Sequence, residues 1–496
     1  MIRENIKIHD KFQFEVKMSY ELNPDDKKTT YDVESYFFIP NSLGINRDTY
    51  SKTDFFSDMQ VYIRFKTPSY LLDDLANQEN GIYASLRSAM QSMVATRTED
   101  SCRDYENQLK LFCCILKATL RDHIDCLYAR KTPQDEAILV SKFITGVRRA
   151  TANFRRLREF VSVPNLSEKL FSTYLFADEY MSLLVEQFSF KAIHIIGGRH
   201  NGQAVNYLVD LKRLIEEEMA YRTENKYPSI VQAKENNEIF LYRSSVLKKY
   251  MGSILFLSVQ RQSEVKLLEH FLYAIAAGIS MVVATAIAFY SQAQLGNLTF
   301  PFFVALVVSY MFKDRIKVVF QQFFSNQIRK YFYDQKERIF YNPKHTIGVC
   351  KESVDFCDSK NVPTNIQKIR NCDHMTEIEN GWVGQNIIRY RRSIELYSPT
   401  IRDTFRNFSV RTVNDILRFN VSKFLAKMDD PKRMLYCLTN DEVTKVSAER
   451  AYHVNLVMKF SVKKRKTFYK RFRIILNREG INRLEEIPVD LLDDMN

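Results

Sequence analysis

FLYAIAAGISMVVATAIAFY, Phe271 to Tyr290, decides how this chain is read, because its 20 residues carry no charge. A polar, uncharged link follows, Ser291 to Asn297, and then LTFPFFVALVVSYMF, the 15 residues from Leu298 to Phe312. About 20 apolar residues in a helix reach across the hydrocarbon core of a bilayer. Two such runs joined by a short link make a hairpin that goes in and comes out on one side. The sequence therefore predicts an α+β membrane protein. Its expected parts are N-terminal β-strands, a long-helix cytoplasmic bundle, a two-helix transmembrane hairpin with a helical stalk, and a strand-rich C-terminal domain.

Charges around the two runs set the expected topology. Lys248, Lys249, Arg261 and Lys266 precede them, and Lys313, Arg315, Lys317, Arg329 and Lys330 follow. The link carries neither Lys nor Arg. Positive residues stay on the cytoplasmic side, so Lys266, Lys313, Arg315 and Lys317 are the expected membrane-interface charges. The charged start, Met1-Ile2-Arg3-Glu4-Asn5, does not read as a secretory signal. The expectation is a two-pass protein of the cytoplasmic (inner) membrane with both termini cytoplasmic. Eight cysteines without regular disulfide spacing fit a reducing compartment.

At 496 residues the chain is too long for one core. Its mean hydropathy of −0.30 leaves most of it water-soluble. The net charge of +13 favours anionic partners, lipid headgroups ahead of nucleic acid.

Periodicity divides the chain into segments 1–69, 70–262, 263–341 and 342–496. In the first, Phe12, Phe14, Val16, Met18, Tyr20 and Leu22 alternate with polar residues, as in a half-buried strand. Tyr31–Ile39 and Met59–Phe65 read the same way. From Tyr70 to Arg261 the period becomes helical, with breaks at Pro133, Pro164, the Gly197–Gly202 run and Pro228. The last helix there, Glu235 to Glu269, is expected to lead into the membrane. Another is expected from Thr299 to Tyr341, on the order of 60 Å long. Beyond it, Asn386–Leu396, Tyr452–Val462, Thr467–Leu476 and Ile481–Ile487 read as strands, and Thr400–Glu449 as helical.

Small residues recur every fourth position in the first apolar run, at Ala276, Ser280, Ala284 and Ala288, and the second offers Ala305 and Ser309. Such a row lets helices approach closely, within the hairpin or between protomers. The second run gives only about 22 Å of helix against a core of about 30 Å. It implies mismatch that thins the bilayer or makes Lys313 and Arg315 snorkel.

Basic residues cluster twice. Arg148, Arg149, Arg155 and Arg156 share a helical face. Lys463, Lys464, Arg465 and Lys466 form a turn, followed by Lys470, Arg471 and Arg473 with aromatic residues between them. Such clusters serve as solvated faces, lipid-headgroup contacts or nucleic-acid tracks. His345, Cys350, Cys357, Cys372 and His374 are zinc-type ligands without a Cys-x-x-Cys knuckle, so no metal is expected. The glycine run lacks the Lys-Ser/Thr of a phosphate loop, and His9-Asp10 has no further ligands beside it. No nucleophile, zincin or dinucleotide motif occurs, and neither catalytic residues nor cofactors are assigned.

The expected function is that of a membrane-anchored, non-enzymatic sensor or scaffold. Its cytoplasmic domains would bind an unidentified protein partner and couple to the hairpin, as a homo-oligomer in one version. The alternatives are a membrane-perturbing effector, for example in antiphage defence, and a membrane-tethered nucleic-acid-binding protein. In outline the arrangement resembles bacterial membrane-anchored sensors and defence effectors with paired membrane helices, a likeness that carries no residues across.

Overall fold

The computed structural model describes residues 2–489 apart from 23–25, 76, 78, 80, 131, 165, 199–203, 234–235, 263, 297–298, 332, 343–344, 373–383, 405–411, 440–441 and 463–466. The chain opens with strands β1 (Ile2–Asp10), β2 (Gln13–Glu21) and β3 (Lys28–Pro40), helix α1 (Lys52–Asp58) and strand β4 (Met59–Phe65). Eight helices follow: α2 (Leu72–Leu75), α3 (Ile82–Thr96), α4 (Glu99–Ala129), α5 (Pro133–Arg156), α6 (Arg158–Val161), α7 (Glu168–Gly197), α8 (Ala204–Glu224) and α9 (Glu238–Gly252). Strand β5 (Ser258–Gln262) leads to the long helices α10 (Glu264–Leu295) and α11 (Phe300–Tyr331). The remainder comprises β6 (Gln335–Asn342), β7 (His345–Cys357), α12 (Thr364–Arg370), β8 (Gln385–Tyr397), α13 (Ser398–Thr404), β9 (Thr412–Asn420), α14 (Ser422–Leu425), β10 (Lys432–Thr439), β11 (Glu442–Glu449), β12 (Tyr452–Val462), β13 (Phe468–Asn477) and β14 (Gly480–Ile487). The protein is mixed α+β and divides into two compact units.

One unit draws on residues 2–64, 257–404 and 412–489. Its eight-stranded sheet has the order β14-β13-β12-β3-β8-β7-β6-β5, and a second sheet the order β1-β2-β9-β4. Strands from both ends of the sequence thus share each sheet: β3 pairs with β8 and β12, and β2 with β9. The sheets bury their apolar faces against each other. Tyr20 meets Tyr31 at 4.8 Å between ring centroids, and Phe37 stacks on Phe419 at 5.5 Å. Phe55, from the capped helix α1, fills the space beside Phe419 and Tyr390. On the other face of the larger sheet, Ile366 and Ile369 of α12 cover Tyr36, Phe38, Ile387 and Val457.

The second unit, chiefly Phe65–Phe256, is the helical bundle α2–α9. Thr98 caps α4 by accepting from the Ser101 amide, and Pro133 starts α5, where a missing N–H costs nothing. Helix α7 buries Ala177, Met181, Leu184, Val185 and Phe188 along nearly its whole length. Phe154 stacks between Phe112 and Tyr174, at 5.4 and 5.2 Å.

Three sequence expectations are corrected. Among the described residues, Thr400–Glu449 is chiefly strand, holding β9, β10 and β11, with the end of α13 and the four-residue α14 as its helical parts. The alternation in β9 is masked because the core position between Val413 and Leu417 is Asp415, a buried acid. The helix expected over Glu235–Glu269 stops at Gly252, and β5 intervenes before α10. The helix expected from Thr299 to Tyr341 ends at Tyr331, and Gln335–Asn342 is strand β6, paired with β5 on one side and β7 on the other. Both ends changed because strand partners far along the chain capture these segments. The Asp334 carboxylate marks the switch to β6, accepting from Val354 N at 2.8 Å and from Lys52 Nζ at 2.8 Å.

Candidate membrane hairpin

Helices α10 and α11 rise from two neighbouring strands. β5 runs directly into α10 after residue 263, α11 returns into β6, and β5 and β6 pair antiparallel from Ser258↔Phe340 to Gln262↔Lys336. The segment His270–Gln294 is long and apolar enough to cross a membrane, and only 11% of its most apolar window is buried.

What is buried there is small. Ala276 and Ser280 are buried, Ala284, Ala288 and Ala305 half-buried, and Ser309 buried. The Ser309 hydroxyl donates to the Ala284 carbonyl across the pair at 3.0 Å, while Ser280 donates within its own helix to Ala277 O at 2.8 Å. All six sequence-predicted small residues therefore fall toward the seam of the hairpin. The large side chains point the other way: Phe271, Met281, Val282 and Phe289 of α10 and Phe303 and Met311 of α11 are exposed. In water such a surface is costly, at about 25 cal/mol for each Å² of apolar area.

Of the four charges expected at a membrane interface, one lies near the start of α10 and three lie midway along α11. Lys266 is in the first turn of α10. Lys313 Nζ sits 4.2 Å from the Tyr310 ring centroid, Arg315 is exposed, and Lys317 half-buried. Exposed apolar residues continue past these charges at Val318, Val319 and Phe323.

At the foot of the hairpin is a buried ionic cluster. Arg261 of β5 donates to Glu337 of β6 at 2.7 Å, and Glu337 is buried. Across the register lies Cys350 of β7, whose thiol burial pushes up to about 12 although Arg392 opposes the shift. Arg392 of β8 is fully buried. It grips Asp415 of the facing sheet through Nε at 2.7 Å and Nη2 at 3.0 Å, and also bonds Glu352. Tyr20 donates to Asp415 at 3.3 Å, and Tyr390 donates to Glu352. Burial raises the Asp415 carboxyl against the pull of Arg392. Removing one member of such a cluster strands the others, at a cost of about 3–5 kcal/mol. Sequence reasoning missed this cluster. Its one legible signal is phase: Arg392 falls in step with the buried Ile388, Tyr390, Ile394 and Leu396.

The basic clusters meet acids. Arg148 pairs with Glu217 at 2.8 Å, Arg149 with Asp73 at 3.8 Å, and Arg156 is exposed. Arg155 pairs with Glu218 at 2.6 Å and lies 3.5 Å above the Tyr221 ring. Glu216-Glu217-Glu218 on α8 was the sequence signal for those counter-charges. Lys470 pairs with Glu486 at 2.5 Å and Glu4 at 3.4 Å, and Arg473 with Glu485 at 3.6 Å. Arg471 is buried, donating to Ile369 O at 3.2 Å and to Asn455 at 3.1 Å. Lys463, Lys464, Arg465 and Lys466 lie outside the described residues, as do His374 and most of the glycine run. Of the zinc-type residues, His345, Cys350 and Cys357 fall on β7, and Cys372 meets Arg471 Nη1 at 3.0 Å.

No protein-family model matches the chain, and no curated protein matches it. Among solved structures, a de novo designed 16-helix transmembrane nanopore aligns at 8% identity with a TM-score of 0.19, over 52% of this chain and 92% of that one. So low a score carries no argument.

Proposed function

We propose that this chain is a two-pass, membrane-anchored, non-enzymatic sensor or scaffold of the cytoplasmic membrane. Helices α10 and α11 stand in lipid, and the two soluble units lie on its cytoplasmic side, where they bind a protein partner. The observation that carries this reading is the inverted hairpin, with alanine and serine at the seam and large apolar side chains outward. Because β5 and β6 pair directly, the chain returns where it left, and this supports placing both units on one side. Lys313, Arg315 and Lys317 fit a headgroup boundary of anionic lipid. The test is fractionation. The full chain should stay with membranes through alkaline carbonate and need detergent for release, whereas a chain lacking residues 271–312 should be released by carbonate. Release of the intact chain by carbonate would overturn the proposal.

A second reading, a membrane-perturbing effector, is favoured by one observation. The apolar run of α11 is short for a bilayer, yet exposed apolar residues continue beyond Lys313 and Arg315. Dye release from liposomes containing the purified chain would support this reading over the first. Intact vesicles would leave the anchoring role in place and remove the effector.

A further inference from the structure

Strands β10 and β11 form a two-stranded ribbon in full register, Lys432↔Glu449 to Thr439↔Glu442. It belongs to neither large sheet. Lys432 to Leu438 and Glu442 to Ser447 are all exposed. Both faces carry large apolar side chains. Tyr436, Leu438 and Val443 are 72%, 68% and 69% exposed on one, and Leu435 and Val446 are 47% and 49% exposed on the other. An isolated two-stranded hairpin is marginal in water, and its outer edges present rows of backbone donors and acceptors. Among the described residues no strand pairs with either outer edge.

The groups that satisfy such an edge are those of another strand, and the charges favour one pairing. Two copies of β11 set antiparallel in full register about a two-fold axis would place Glu442 opposite Glu449 at both ends, and facing like charges destabilise a ladder. Placing β10 of one copy on the outer edge of β11 of the next, in the register already used inside the hairpin, repeats favourable pairs. Lys432 then faces Glu449, Tyr436 faces Lys445, and Leu435 faces Val446. Residues whose backbone groups point away from the partner inside the hairpin point toward the neighbour in that arrangement, so the hydrogen-bond phase agrees. A bilayer is a poorer occupant. Each strand has eight residues, short of the roughly nine that a tilted membrane strand needs, and β11 begins with an acid.

We propose that the β10–β11 ribbon is a self-assembly surface that adds edge-to-edge, β11 of one copy to β10 of the next. The contact is heterologous, so it propagates from copy to copy, as a ring where the rotation closes and a filament where it does not, instead of closing a two-fold dimer. It does not depend on the membrane reading, because it uses only residues of the ribbon.

The test uses the full chain in detergent, with the exposed Cys126, Cys372 and Cys437 replaced by serine. Leu435→Cys goes on one tagged chain and Val446→Cys on a second chain with a different tag. Oxidation of the mixture should join the two tags, while each variant alone should stay uncross-linked. A disulfide in either variant alone would show a two-fold contact and overturn the proposal, and so would the absence of any cross-link. A second measurement follows particle mass. Leu435→Lys with Val446→Lys alters exposed positions only and should reduce the assembly to one chain per particle. Unchanged mass in that variant would also overturn the proposal.

Discussion

Helices α7 and α10 are nearly equal in length, 30 and 32 residues, yet they are built inside out relative to one another. α7 buries Met181, Leu184, Val185 and Phe188 and holds its buried acids in ion pairs. Glu179 bonds Arg243 at 2.7 Å, and Glu186 meets the buried Arg222. α10 buries Ala276 and Ser280 and exposes Met281, Val282 and Phe289. In water, large apolar side chains gain most by leaving solvent. In lipid that gain vanishes, and close contact between small residues is what remains to hold two helices together. On the proposed reading, the contrast follows from the different solvent that surrounds each helix.

Charge placed on the two helices should break the contrast most sharply. Leu184→Arg puts a charge where 2% of the side chain is exposed, and should cost upward of about 4 kcal/mol. Rapid proteolysis within residues 65–256 and loss of the bundle's thermal transition would register it. Met281→Arg, at a residue 57% exposed, should leave the soluble units folded but cost about 3 kcal/mol of membrane insertion. The readout is the carbonate-resistant fraction, and if that fraction did not change, α10 would not be facing lipid.

Smaller changes sharpen the comparison. Ser280→Leu overfills the seam and should weaken the α10–α11 pair by about 2 kcal/mol, measured as a lower detergent-denaturation midpoint. A volume-conserving change on the outward face, Met281→Leu, should be close to neutral. Least of all, Arg148→Ala removes a pair whose members are 42% and 47% exposed, and should shift bundle stability by about 0.5 kcal/mol. A loss above about 2 kcal/mol would mean that the Arg148–Glu217 pair bears far more of the bundle than solvent screening allows.

Much of this was legible along the chain. The strands over Tyr31–Ile39, Met59–Phe65 and Tyr452–Val462 announce themselves by alternation, and the small-residue row of α10 falls where its period of four puts it. Other parts were hidden for a physical reason. β9 reads poorly because its core position 415 is an aspartate, made tolerable by Arg392 on a different sheet. β5 and β6 resemble extensions of their neighbouring helices until each is paired with the other. Arg155 looks like a surface cation until Glu218 of α8 is brought to 2.6 Å.

The sequence by itself determined where uncharged length and period occur: one helix long and apolar enough to cross a membrane, a helical middle and strands at both ends. These are local properties, set by successive side chains and the 3.6- or two-residue repeat of the backbone. The tertiary structure alone decided which strands share a sheet, that the long helices spring from adjacent strands, and which charges lie buried together. Pairing depends on partners hundreds of residues away. A buried charge is acceptable only when its opposite is carried there by another element.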